Sequence, residues 1–295
     1  MSKLGPLRLV ESHLTFLASI VVLAHLTAQG DFAGCLRAQL FSITRTIVSF
    51  FEWVGNLGMF CGRLVSATIT PPYEGKEFLR QFDELGSKSL PLVMLAGAAT
   101  GVVLTLSTRD SLVRFGAKSF LPAVAIFSIL KESGPIITAL VVSGRAAAGI
   151  GAELGAMKVT EQIDAMEASA VNTYKYLAAT RVLACVLMLP LLTLVTDFFG
   201  ILTSWMTNTL IEPISLQLFV NRGFKQMTFH DFLPPTFKTM VFGLIIGVVS
   251  CFQGLRTSGG TEGVERAATS SVVLSSLLII LADVLLVRLI LVFFS

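Results

Sequence analysis

The sequence predicts an all-α integral membrane protein with about five transmembrane helices, preceded by an N-terminal amphipathic interfacial helix. Three observations predict it. Hydrophobic residues make up 54% and charged residues 14% of the 295-residue chain, where a soluble domain carries about 25% charge; the mean hydropathy is +0.78. Downstream of residue 85, apolar runs recur near the length of about 20 residues that a crossing needs. Ahead of them lies a segment whose polar and apolar residues alternate with helical periodicity. The net charge of +3 is spread as mixed signs, which provides no basic stripe for nucleic acid. The four cysteines form no C-x-x-C pair and the three histidines do not cluster, so no metal site is expected.

In chain order, residues 1–40 form an N-terminal extension of uncertain structure. Its apolar run Leu14 to Leu26 is short for a span, and Phe32 to Cys35 reads F-A-G-C, close to a lipoprotein cleavage box. Glu11 and His13 interrupt the front, and Gln29 to Asp31 separate the run from the cysteine, which favours a partly buried extra helix over a cleaved signal. Residues 41–85 hold the interfacial helix and a linker. Ile43, Ile47, Phe50, Val54, Leu57 and Leu64 share one face, with Arg45, Ser49, Glu52, Asn56 and Arg63 opposite and Trp53 available at the headgroup level. Pro71 and Pro72 stop that helix.

Residues 86–295 form the transmembrane domain, with spans expected at Leu90–Ser107, Phe120–Gly149, Val182–Phe199, Phe237–Leu255 and Ser271–Phe294, and with short helices outside the membrane between residues 200 and 236. Gly97, Gly101 and Thr105 give the first span a small face for helix packing. In the second, Ser143, Ala147, Gly151 and Gly155 recur at steps of four, with Gly144, Ala148, Ala152 and Ala156 beside them. Lys131, Glu132 and the Gly134-Pro135 pair interrupt that span, and a kink is expected at Pro135. From Thr160, the residues Val159, Ile163, Met166 and Ala170 oppose Glu161, Asp164 and Glu167, the pattern of a short amphipathic helix outside the hydrocarbon. Thr160 is placed to cap it, with Glu161 and Asp164 in its first turn.

The stretch from Glu132 to Met166 is similar to the MlaE/YrbE-type permeases of bacterial lipid-transport ABC systems. The family pattern E-x-G-P stands at Glu132 to Pro135, and G-R-x-x-A-x-x-x-A-E-L-G-x-M-x-V-T-E-Q-I-D-A spans Gly144 to Ala165. Further blocks match at Arg181 to Ala184 with Pro190, at Lys238 with Phe242 and Gly243, and at Gly259 to Ala268. The chain departs from the pattern at Asn172 and Thr173, where the family carries Asp-Pro, at Thr180, where it carries Pro, and at Ser133, where an apolar residue is usual. The resemblance implies an ABC-type permease, multi-pass in the bacterial inner membrane, with its amphipathic segment in the cytoplasm.

A charge at mid-membrane is costly and needs a reason. Glu132, Lys131 and Lys238 are the candidates for a substrate cavity; for Glu132 the readings are a lipid cavity or its gate, and a structural pair with Lys131, Lys238 or an arginine of another helix, and the resemblance points to the cavity. Lys238 could neutralise a lipid phosphate or snorkel to the headgroups. Arg145 is read as bonding the last carbonyls of its own helix, and Asp283 and Arg288 as each pairing with another span. Thr160, Glu161, Gln162, Asp164 and Glu167 are the candidates for coupling to an ATPase. The chain has no G-x-x-x-x-G-K-(S/T) and no nucleophile motif such as G-x-S-x-G, so ATP use is assigned to a separate subunit and no cofactor to this one.

The resemblance further implies a homodimer handling phospholipid, a cytoplasmic ABC ATPase, a periplasmic MCE-domain subunit and, in some systems, a STAS-domain protein. The alternatives are an ion-coupled secondary transporter using Glu132 as a proton site, and a non-transporting membrane scaffold.

Overall fold

A computed structural model describes residues 32–69, 74–225, 227 and 229–294. Every regular element in them is helical. We label them α1 (Phe32–Ile69), α2 (Gly75–Arg114), α3 (Lys118–Val159), α4 (Gln162–Ala168), α5 (Tyr174–Ile211), α6 (Leu216–Phe224), α7 (Phe229–Leu255) and α8 (Gly260–Phe294). Five of these, α2, α3, α5, α7 and α8, are long and apolar enough to cross a membrane.

The helices outrun the expected spans. At 1.5 Å per residue, the 42 residues of α3 and the 40 of α2 reach roughly 60 Å, about twice the hydrocarbon thickness. The helix runs unbroken through Pro91 from the charged approach of α2 into its apolar run. Gln81 donates to Glu77 at 2.8 Å, Ser87 donates to Asp83, and Lys88 pairs with Glu84, all at the i,i+4 spacing that supports an exposed helix. Likewise α5 continues to Ile211 through residues expected to form separate short helices. Of those, α6 remains, opened by the Ser215 hydroxyl accepting from the Leu218 N–H.

At its core, α5 lies along α2 and α7, while the second half of α3 lies against α7 and α8. Small residues set how closely they meet. A Cβ on Gly97 would stand 2.5 Å from the Thr196 carbonyl oxygen, and one on Gly101 2.1 Å from that of Gly200. Hydroxyls fill the same seam: Thr105 donates to Ser204 at 2.7 Å, and Thr138 and Thr196 share a 2.6 Å bond. The second stripe of small residues faces inward too. Gly151 meets Ser271, Gly155 meets Thr257, and Ser143 bonds Ser276 at 3.0 Å, while Gly144 is exposed with nothing within 4 Å of a Cβ built on it.

Among the described residues, the helix expected from Phe41 extends over Phe32–Ile69. Residues 1–31 and the Pro71-Pro72 stop lie outside the described residues. Trp53 is turned inward, edge-on to Phe252 at 6.1 Å between ring centroids, instead of standing at the headgroups. Phe60 follows it onto Phe252 and Tyr174. Phe51, Val54, Met59 and Val65 face outward, so α1 is apolar on both sides, as a helix between a bundle and lipid needs to be.

Among the described residues, α-helical winding is interrupted by π-helical turns at Ile129–Ser133 and Ser143–Ala147 in α3 and at Tyr174–Ala179 opening α5. The first immediately precedes Pro135. Proline has no N–H to give and its ring crowds the carbonyl four residues back, and a widened turn relieves both.

Candidate functional site

The turn Ile129–Ser133 carries Lys131 and Glu132 into the bundle. Lys238 of α7 meets Glu132 there. Its ammonium is buried, 3.2 Å from Glu132 Oε2 and 2.9 Å from Asp283 Oδ1 of α8. One cation therefore serves two carboxylates on two other helices. Asp283 is nearly enclosed, whereas 45% of the Glu132 side chain is exposed, so the glutamate is the partner with room to leave. Lys131 turns away from the pair and places its ammonium over the Phe127 ring, 4.6 Å from the centroid. Asp283 completes this group and had not been assigned to it. Its signal in the sequence is a lone acid in an apolar run, which requires a partner without naming one.

Across a seam of α3, the Asp197 carboxylate of α5 is buried against Gly134, where an added Cβ would stand 1.8 Å from Oδ1. Glycine is required there because the acid occupies the place of a side chain.

Arg145 departs from its expected role. It sits mid-helix on the π turn Ser143–Ala147 and donates to Ser89 Oγ of α2 at 2.7 Å, not to the last carbonyls of its own helix. The widened turn aims it sideways.

The α4 segment is held at both ends. Thr160 donates back to the Ala156 carbonyl at 2.8 Å, so it closes α3 and does not cap α4; Glu161, left-handed at φ 58°, takes the N-cap place. Asp164 stands in the first turn and pairs with Lys158 of α3 at 2.6 Å. Glu167 accepts from Thr173 at 2.9 Å, which ties the far end to the start of α5. Glu161 and Gln162 are exposed and Ile163 is buried, so α4 presents its polar residues outward. The structure thus keeps the coupling candidates together at one end of the bundle. The charged group of Glu132, Lys131 and Lys238 is separate from them, within the span.

At the end of the bundle opposite α4, Glu212 is bonded by Lys118 at 2.9 Å and Arg109 at 3.0 Å, joining the ends of α2, α3 and α5. The Lys118 hydrogen bond, aided by the nearby Arg109 charge, holds its carboxyl below the ordinary 4.5. Beside this clasp α6 buries Phe219 against Leu121, Ile126 and Leu130 of α3.

The chain is 33% identical over 248 residues, 84% of its own length and 96% of the relative's, to a probable ABC transporter permease protein of Rickettsia felis. It is likewise 33% identical over 207 residues, 70% of this chain and 78% of the relative, to a probable ABC transporter permease protein of Synechocystis. To the protein named trigalactosyldiacylglycerol 1, chloroplastic, of Arabidopsis thaliana it is 31% identical over 236 residues, covering 80% of this chain and 67% of that one. The profile of the family described as Permease MlaE matches residues 78–289, from the charged first turns of α2 into the last turns of α8, so the five-span bundle with its charged break and tethered α4 belongs to an ABC transporter permease of the MlaE family.

Proposed function

We propose that this permease moves phospholipid between the inner membrane and a periplasmic MCE-domain carrier, in the service of outer-membrane lipid homeostasis. The observation that carries the reading is the buried Lys238 shared between enclosed Asp283 and half-exposed Glu132. An ammonium at this depth suits a lipid phosphate as a point charge. Asp283 stays paired with Lys238, while Glu132 occupies the second position until a phosphate takes it. The exchange replaces one anion with another, so the bundle never holds an unbalanced cation. The relative named for trigalactosyldiacylglycerol supports a lipid cargo by likeness.

In this reading the permease is a homodimer in the bacterial inner membrane, and α4 lies in the cytoplasm on an ABC ATPase, which supplies ATP hydrolysis. Among the coupling residues, the exposed Glu161, Gln162 and Asp164 form the docking edge, and Thr160 and Glu167 hold it in place. The α6 end faces the MCE-domain subunit, and a STAS-domain protein joins the ATPase.

The test is purification of the tagged chain in mild detergent from its own cells, with mass spectrometry of co-purifying proteins and lipids. An ATPase, an MCE-domain protein and phospholipid are expected together. Recovery of the chain without an ATPase in several detergents would overturn the assignment.

A further inference from the structure

Arg181 is the largest fully buried side chain among the described residues. Its Nη2 donates to Glu153 of α3 at 2.7 Å and its Nη1 to the Leu177 carbonyl at 3.0 Å, while its Nε is buried without an acceptor among the described residues. Such a pair is a poor device for stability. Desolvating the guanidinium offsets most of the attraction, and the unsatisfied N–H adds to the cost.

Its position suggests another use. The last part of α3, Ala148–Val159, packs chiefly on α7 and α8. Helix α7 stands between it and α5: Gly254 lies against Leu154 of α3, and Gly247 against Val182 of α5. Arg181 reaches past α7 to join the two. These are the helices that flank α4, and α4 is itself tied to α3 by Lys158–Asp164 and to α5 by Glu167–Thr173. The three polar ties close a triangle. Each of the two short ties spans a left-handed residue, Glu161 at φ 58° under Lys158–Asp164 and Ala170 at φ 59° under Glu167–Thr173. Without the third tie, a pull on α4 would be taken up by rotation at these joints. With it, α3 and α5 move as one body.

We infer that Arg181 and Glu153 are positioning residues that transmit displacement of α4 to the spans, setting how much lipid is moved for each ATP hydrolysed. This rests on α4 being the ATPase-facing segment. The experiment reconstitutes the chain with its co-purified ATPase in vesicles carrying fluorescent phosphatidylethanolamine, and measures lipid transfer and ATP hydrolysis in the same sample. Their ratio is independent of how much protein is folded. Glu153 is half-exposed, so Glu153→Gln is the first variant, with Glu153→Asp retaining the charge.

We expect Glu153→Gln to assemble and hydrolyse ATP while lipid moved per ATP falls about tenfold, and Glu153→Asp to recover part of the ratio. An unchanged ratio in Glu153→Gln would overturn the inference. So would failure of that variant to assemble, since the pair would then serve folding. Absence of ATP-dependent transfer in the wild-type complex would instead count against the permease reading itself.

Discussion

Lys238 is the residue on which the interior charge balance turns. It is buried between Glu132 and Asp283, so Lys238→Met leaves two carboxylates facing each other without a cation. Removing one partner of a buried pair costs about 3–5 kcal/mol, and we expect a correspondingly large fall in thermal stability and in membrane yield. Glu132→Gln leaves the Lys238–Asp283 pair in place. It should fold normally and change the amount of phospholipid recovered with the protein by quantitative lipid mass spectrometry; unchanged occupancy would return Glu132 to a purely structural role. At Gly101 the constraint is steric, because a Cβ would stand 2.1 Å from the Gly200 carbonyl oxygen. Backbone cannot yield as a flexible side chain can, so Gly101→Ala is expected to destabilise by about 1–3 kcal/mol, seen as a lower melting temperature in detergent.

At the scale of elements, α4 is the segment whose sequence says most about its partner. Its ion pair with Lys158 is partly exposed and contributes at most about 1 kcal/mol, so reversing Glu161 and Asp164 to lysine should leave the chain folded in the membrane. Lost ATPase co-purification and lost lipid transfer are then expected; retention of both would remove α4 from the coupling role. The amphipathic period from Val159 to Ala170 was enough to place a helix here. The position of Thr160 was not legible, because a threonine beside a helix end can bond forward as a cap or back to the carbonyl four residues earlier, and the left-handed Glu161 decides for the second. Arg145 shows the same limit. Its span was expected to end at Gly149 but the helix runs on to Val159, which leaves Arg145 mid-helix, and its bond to Ser89 depends on a widened turn, which has no residue signature of its own.

For the whole molecule, composition and apolar run lengths were sufficient to read five crossings, since hydrocarbon imposes a length and forbids uncompensated charge. They could not pair Lys238 with Asp283 or Arg181 with Glu153, because helix neighbours in lipid are chosen by packing and not by hydropathy. The clasp at Glu212 was hidden for the same reason, and it gives the assembled bundle a dependence on acidity. A carboxyl held below 4.5 stabilises the fold above that value and loses its contribution as pH falls through the lowered one. Thermal melts of the detergent-solubilised protein should therefore fall more steeply between about pH 5 and pH 3 for wild type than for Glu212→Gln, with a small difference because the group is exposed. The π turns carry a consequence for alignment of the helix with its neighbours. Each holds one residue more than regular winding would, and one residue is about 100° of rotation. Helix α3 contains two of them, so it behaves as a shaft with two phase joints. Deleting one residue from Ile129–Ser133 would restore regular winding and leave the side chains beyond it on nearly the same bearing, whereas a deletion from a regular stretch of α3 would turn all of them by about 100°.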